Sequence, residues 1–415
     1  MKADAASPPL LRPFAAIRPV PQRAAEVAAR PYDVLSFAEV KTAAAGRPWS
    51  FLHISRAEID LPAGTDAHTP EVYAQAAFAF RRMIDEGVLI REARPCYYAY
   101  RMNAGEHVQT GLAAAGSVAA YVADRIRRHE HTRPEKEIDR TRQIEAVGAH
   151  TGPVLVVHPP DIEVAGLLEQ ATLTTPIADA LTDDGTRHRI WPLADATSIE
   201  RIGRRFEAMP AIWIADGHHR SAAAARVADA RASAGRNGAD RFLLVSFPTD
   251  QVRILDYNRV VRDLNGRGEG ELLAALAEPF VVETAQCPVR PERRGVFGMF
   301  LGGRWYRLQL REPLPGAAAP VDRLDVSLLS DRLLVPIFGI GDPRTDPRID
   351  FVGGGRGLGA LEERVCSGQW AVAFSLYPTR LEDLIAVADA GQVMPPKSTW
   401  FEPKLADGLL SLPLD

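Results

Sequence analysis

Apolar residues along this chain recur with two periods, and the alternation between them predicts mixed α and β structure. Residues 71–86 place Val72, Ala76, Phe80 and Met83 three and four positions apart, which lines one face of a helix, and Gly87 supplies its stop. Further helices are expected near 24–29 and 37–45, with amphipathic ones at 324–335 and 381–390. Short apolar runs at 50–55, 154–158, 187–191, 212–214, 280–284, 349–352 and 370–376 read as strands. Tyrosine-rich 96–102 leads through Asn103-Ala104-Gly105 to 109–115 as a hairpin, and Gly302-Gly303 joins 296–301 to 305–310 in a second. These shifts divide the chain into an N-terminal α/β region at 1–115, a central region at 116–265 and a C-terminal α/β region at 266–415, with 231–240 and 266–270 as flexible linkers.

The 415 residues, 46% hydrophobic and 25% charged, are enough for two or three domains with a buried core. Lys and Arg number 49 against 53 Asp and Glu, a net charge of -4 that supplies no overall basic field for nucleic acid or an anionic membrane. Cys96, Cys287 and Cys366 lie too far apart for a zinc or redox spacing, so a reducing cytoplasm is the expected location. Residues 1–13 lack the apolar stretch of a signal peptide, and no window approaches the roughly 20 apolar residues that cross a bilayer. Small molecules are therefore the expected partners, with a homodimer left open.

The most informative stretch is Ala211-Ile-Trp-Ile-Ala-Asp216-Gly217-His218-His219-Arg220-Ser221, followed by an alanine-rich helix. An apolar strand here meets a helix through a glycine turn. The first backbone N–H groups of such a helix point outward and its dipole favours negative charge, which suits a phosphate. Arg220 offers a planar donor fork, and His218 or His219 can donate hydrogen bonds or move a proton. Asp216 would repel a bare phosphate, so a Mg²⁺ held by Asp216 is expected to reconcile the two. The structural alternative is that Asp216 caps the helix and the histidines bond neighbouring backbone.

Asp-Gly-His-His-Arg after an apolar strand resembles the signature of the ParB/sulfiredoxin superfamily, in the variant of the free-serine kinases. A wider resemblance covers nearly the whole chain and is to a large bacterial and archaeal family long labelled a domain of unknown function. It is carried by Arg30-Pro-Tyr-Asp-Val, Ser50-Phe-Leu-His-Ile, His129-Glu-His-Thr, Ala215-Asp-Gly-His-His-Arg, Asp256-Tyr-Asn-Arg-Val-Val and Pro396-Lys-Ser-Thr-Trp-Phe-Glu-Pro-Lys. The resemblance implies that 116–265 is a ParB/sulfiredoxin-like nucleotide-binding unit. Sulfiredoxins carry a cysteine where this chain has His218, and no basic helix-turn-helix region of the ParB kind accompanies the motif.

What remains is the resemblance to the free-serine kinases, which implies phosphoryl transfer from ATP or ADP to the hydroxyl of a small amino acid, serine first, with a non-catalytic nucleotide switch of the ParB type as the alternative. In serine kinases of this type a glutamate in a His-Glu stretch is the proposed base, and Glu130 matches it, with His129 and His131 as orienters. Glu130, Asp216 and His218 are thus the candidate catalytic residues, with Asp216 also the metal ligand. Gly217, His219 and Arg220 are candidates for holding nucleotide or phosphate.

Weaker signals stay open at this level. Arg140 either extends the anion-binding surface or pairs with Asp139. Lys397, Ser398 and Thr399 either reach the phosphates or the substrate carboxylate, or belong to a clasp in which Trp400 and Phe401 pack on the core. Pro31-Tyr32-Asp33 either approaches the cleft or forms a turn over a buried tyrosine, and Asn258-Arg259 either contacts nucleotide or pairs locally. Gly353-Gly-Gly-Arg-Gly-Leu-Gly-Ala echoes a dinucleotide loop, but the next strand lacks the acidic ribose partner, so a flexible turn is expected.

Overall fold

The computed structural model describes residues 9–236, 238–312 and 319–414; the reading of 1–13 therefore falls partly, at 1–8, outside the described residues. Contacts group the chain into two units. The first comprises Met1–Arg128, Thr132–Val252 and Pro403–Asp415, and the second His129–His131 and Arg253–Glu402.

The first unit is built on a nine-stranded sheet of β1 (Leu11–Arg12), β2 (Tyr97–Ala104), β3 (His107–Ser117), β4 (Ile126–Arg127), β5 (Val154–His158), β6 (Ala178–Leu181), β7 (Thr186–Leu193), β8 (Ile212–Asp216) and β9 (Arg241–Pro248). Its order is β4-β8-β5-β9-β3-β2-β7-β6, with β1 beside β3. Pairing is mixed: β8 runs parallel to β4 and β9 parallel to β5, and the other pairs are antiparallel. The central strands β5 and β9 are buried along their whole length, which is why their sequences are apolar throughout and do not alternate. One core cluster joins Leu112, Val156, Trp191, Phe206, Ile214 and Leu244. Full burial of an aliphatic side chain of this kind contributes about 1.5–3 kcal/mol.

Three helices matter for the site. Helix α1 (Pro70–Asp85) buries Val72, Ala76, Phe80 and Met83, the stripe its periodicity predicts, and Gly87 follows at φ +68°. Helix α2 (Pro134–Val147) packs against α3 (His218–Ser233), where Ile144, Ala223, Val227 and Leu414 form a small core of their own. The last segment of the chain completes this unit. Leu412–Pro413 pairs with Ala149–His150, Asp407 bridges Ala29, and Ser411 bridges Ile17.

The second unit carries an antiparallel six-stranded sheet of β10 (Tyr257–Val261), β11 (Phe280–Ala285), β12 (Val296–Leu301), β13 (Arg304–Leu310), β14 (Ile349–Gly353) and β15 (Val372–Ser375), in the order β11-β13-β12-β15-β10-β14. Val260, Phe300, Trp305, Val352 and Leu361 lie in its core. The chain is thus α/β, as its two apolar periods predict.

Several expectations meet a different structure. Residues 50–55 are helical at Leu52–Ser55, not extended, because Phe51, Leu52 and Ile54 are all buried and a short continuous apolar run fits either geometry. The division at 115/116 falls inside β3, which pairs with β2 and β9, and residues 403–414 return to the first unit. Strand pairing over such distances leaves no mark in local composition. The stretch 231–240 is helical to Ser233, and position 237 lies outside the described residues. No helix among the described residues is long and apolar enough to cross a membrane.

Candidate functional site

Strand β8 ends where the sequence places its polar tetrad. Ile212, Trp213, Ile214 and Ala215 are buried, and the register against β5 shifts between Ile214 and Asp216, a bulge that turns the end of the strand away from regular pairing. Gly217 follows at φ +103° and ψ 27° and opens α3 without a side-chain cap. A side chain at Gly217 would be strained by that φ, and its Cβ would also meet the Arg220 guanidinium at 3.1–3.2 Å. The helix therefore starts immediately after the strand, with its N-terminal backbone amides and dipole beside Asp216. Asp216 does not cap it.

The Asp216 carboxylate is held by two cations. Lys404 Nζ donates to Oδ2 at 3.0 Å, and Arg220 Nη2 lies 4.0 Å from Oδ1. Burial alone would raise the carboxyl pKa, but Lys404 and Arg220 outweigh it and hold the group well below the usual aspartate range. The positive charge that Asp216 calls for in the sequence is thus supplied by Lys404. A divalent cation at Asp216 would find Oδ1 as the oxygen outside that ion pair.

Arg220 is fixed by a hydrogen bond from Nη1 to the Pro153 carbonyl, and the missing side chain of Gly152 leaves room for its stem, since a Cβ there would lie 3.1 Å from Arg220 Cδ. His218 is buried in the first turn of α3, its carbonyl accepting from Ser221 Oγ at 3.0 Å. His219 is oriented by the Arg133 backbone N–H, which donates to Nε2 at 3.1 Å; a neutral imidazole making this bond carries its proton on Nδ1.

Arg140, on α2, makes the pairing with Asp139. Its Nε and Nη2 bond Asp139 at 3.0 and 2.7 Å, and its guanidinium stacks 4.1 Å over the Tyr32 ring. Asp139 is in turn held by Tyr73 and His68. Tyr32 is positioned through its carbonyl, which accepts from Arg56 at 3.0 Å. Burial, reinforced by Asp33, pushes the Tyr32 hydroxyl up to about 12. Tyr32, Arg140 and Arg220 line one small cavity together with Gln143, His150 and Asp407.

Two participants carry no assigned role in the sequence reading. Lys404 closes the Pro396–Lys404 stretch that supports the family resemblance, so its motif was visible while its partner was not. Asp407 is a lone acid in the otherwise apolar Leu405–Leu410, and that isolation was the signal. It is buried, its Oδ1 has no hydrogen-bond partner among the described residues, and its main chain exchanges both hydrogen bonds with Ala29 at 2.9 and 3.1 Å.

The remaining candidates belong to the second unit. Glu130 is half-buried next to His129, whose carbonyl accepts from Met394 N–H at 2.8 Å. Lys397 has φ +57° and its Nζ lies 5.7 Å over Tyr257. Ser398 is buried with Oγ bonded to the Pro395 carbonyl at 2.6 Å, while its own carbonyl accepts from Thr379 at 2.8 Å; Thr399 follows it. Buried Arg259 clamps this segment through the Lys397 carbonyl at 3.0 Å, and Asn258 bonds Asp256 at 2.5 Å, so both face their own unit's backbone and side chains. The Gly353–Gly355 run is packed rather than flexible: a Cβ on Gly353 would lie 2.6 Å from the Trp400 ring and one on Gly354 2.5 Å from Asp256 Oδ1.

The chain belongs to the family described as proteins of unknown function, DUF1015, whose model matches residues 11–327. No curated protein matches it. Among solved structures, SbnI with a C-terminal truncation from Staphylococcus aureus is similar at TM-score 0.40 and 15% identity, over 73% of this chain and 87% of that one. A free serine kinase in complex with AMP is similar at TM-score 0.38 and 15% identity, over 75% and 93%. A conserved hypothetical protein from Pyrococcus furiosus is similar at TM-score 0.36 and 14% identity, over 74% and 97%.

Proposed function

We propose that this protein is a kinase that moves a phosphoryl group from ATP or ADP to the hydroxyl of a small amino acid, with serine the first candidate. The observation that carries the reading is the β8-Gly217-α3 junction, where a helix N-terminus, Arg220 and Lys404 surround the low-pKa carboxylate of Asp216. Phosphoryl transfer asks mainly for positioning and for charge stabilisation, and these are the groups that provide both. The motif resemblance to free-serine kinases points the same way.

In this reading the acceptor oxygen attacks the terminal phosphorus of the nucleotide, the bond to the departing ADP or AMP breaks, and the hydroxyl proton passes to Glu130. The role of Glu130 rests on the His129-Glu130 resemblance. Asp216 orients the acceptor, the α3 amides with Gly217, His219 and Arg220 hold the migrating group, and His218 serves proton transfer. Arg140 adds positive charge on the α2 side, and Lys397, Ser398 and Thr399 are assigned to the nucleotide. Magnesium would neutralise the phosphates, with Asp216 Oδ1 as its protein contact.

Purified full-length chain mixed with L-serine and ATP or ADP should yield O-phosphoserine by ³¹P NMR, and Asp216→Asn should abolish it while the circular dichroism spectrum is kept. Failure to phosphorylate any hydroxylated amino acid or related metabolite would sink the kinase reading. The Lys404–Asp216 ion pair favours one second reading, a nucleotide switch that binds phosphate without transferring it. Calorimetry with ATP, ADP and CTP separates the two: tight binding without product supports the switch.

A further inference from the structure

The cavity beside the junction has features that holding a phosphate does not use. It is about 30 Å³ in volume. Since ~10–15 Å³ accommodates one water, this is space for about two oxygen-sized atoms. Guanidiniums reach it from two helices, Arg140 from α2 and Arg220 from α3. Arg140 spends Nε and Nη2 on Asp139, and Arg220 spends Nη1 on Pro153 while its Nη2 lies 4.0 Å from Asp216 Oδ1; Arg140 Nη1 makes no hydrogen bond among the described residues. The third wall is Asp407, whose buried Oδ1 is likewise without a hydrogen bond and lies 3.5 Å from where a Cβ on Gly152 would stand. Asp407 Oδ1 and His150 Nε2 are the buried side-chain atoms of this lining without a hydrogen bond among the described residues, and since each such atom costs about 1–3 kcal/mol, the space is a place for a polar occupant.

We infer that this cavity is a binding site for the carboxylate group of a small metabolite, held between Arg140 and Arg220 with the Asp407 carboxyl donating a hydrogen bond to it. The inference deepens the proposed function, on which it rests for the identity of the metabolite: an amino acid anchored here by its carboxylate would be the acceptor whose hydroxyl is phosphorylated. The cavity takes the two oxygens of a planar carboxylate, whereas a phosphate brings four.

The protonation of the site agrees. Asp407 is faced by Arg220 from α3, by Arg140 from α2, by Tyr32 and Asp33 from the N-terminal turn, by Tyr100 from β2 and by His150, with Lys404 on its own segment. Burial raises its carboxyl pKa, Arg220 and Arg140 lower it, Asp33 raises it further, and the result is about 7. His150 is kept neutral by burial, with its pKa lowered to about 4, and burial pushes the hydroxyls of Tyr32 and Tyr100 far up. A neutral Asp407 can donate to an anion, and an ionised one repels it.

The test is direct binding to the full chain without nucleotide, by calorimetry and thermal denaturation, using acetate, L-serine, ethanolamine and inorganic phosphate. Acetate and L-serine should bind, and ethanolamine, which is serine without its carboxylate, should not. With a group of pKa about 7 that must be protonated, the acetate Kd should weaken about tenfold from pH 6 to pH 8. Asp407→Asn should keep acetate binding and lose this pH dependence, a result that a purely structural Asp407 would not give. Gly152→Ala, which places a methyl group in the cavity, should lose acetate binding while the folded spectrum is kept. Equal binding of ethanolamine and serine, stabilisation by phosphate alone, no binding of any carboxylate, or an unchanged pH dependence in Asp407→Asn would each overturn the assignment. Carboxylate binding without phosphoserine formation would remove the kinase reading and leave the site. Phosphorylation of ethanolamine as fast as serine would do the reverse.

Discussion

Two strand-to-helix passages in this molecule carry glycines, one in each unit, and they use them differently. At the end of β8, Gly217 takes a left-handed φ of +103° so that α3 can begin at once, and charged groups gather on that helix end. At the end of β14, Gly353 has an ordinary φ of -64° and is glycine because the Trp400 ring lies against it. The first passage is shaped for backbone direction and charge, the second for close packing. In sequence both are apolar runs followed by glycine and a helix. The difference lies in what surrounds them: two cations on a low-pKa carboxylate in one case, an indole ring in the other.

That contrast can be tested at several points. The largest effect is expected at Asp216: Asp216→Asn should lower phosphoryl transfer by about 10³-fold, the scale of losing one charged group aimed at a transition state. A rate within tenfold of the natural chain would make the two passages alike in being structural. Next comes the acid beside the charged passage. Asp407 has a folded pKa of about 7, above the ordinary aspartate value near ~3.9, so its contribution to stability is full below that value and is lost as pH rises through 7. Asp407→Asn should therefore melt higher than the natural chain at pH 8, by on the order of a few kcal/mol, with the gap closing toward pH 4.

On the packed side, Gly353→Ala forces a methyl group against Trp400 and should cost about 1–3 kcal/mol in denaturant titrations, with the rate per folded molecule unchanged. A loss of activity at full stability would instead give this loop a role in the chemistry. The smallest expected change in stability is Gly217→Ala, about 1–2 kcal/mol for an L side chain held at positive φ. Its activity should fall further than its stability, because the displaced Arg220 belongs to the charged group. Equal losses would erase the distinction from Gly353.

Much of the fold was legible because it rests on periodicity. The stripe of α1, the hairpin of β2 and β3, and strands β5, β8 and β12 follow from local apolar spacing, and so does the junction with its glycine. The partners of those elements were not legible. Nothing near Ala115 announces that β3 pairs with β9 more than a hundred residues later, and nothing near Lys404 announces Asp216. The Phe51-Leu52-Ile54 run misled because continuous burial removes the period that separates helix from strand. Tyr32 and Arg140 were visible as motifs, but their stacking depends on the N-terminal turn lying against α2, a packing relation that neither segment encodes alone.

The return of residues 403–414 to the first unit also bears on how the protein comes into being. Lys404 and Asp407 leave the ribosome roughly 190 residues after Asp216, which at about 5–20 residues per second is a delay of roughly 10–40 s. Until then the emerging chain has the β8 junction but neither the ammonium that neutralises Asp216 nor the acid that closes the neighbouring cavity. The Asp216 ion pair and the wall of the neighbouring cavity are therefore completed only by the last residues of the chain to be made.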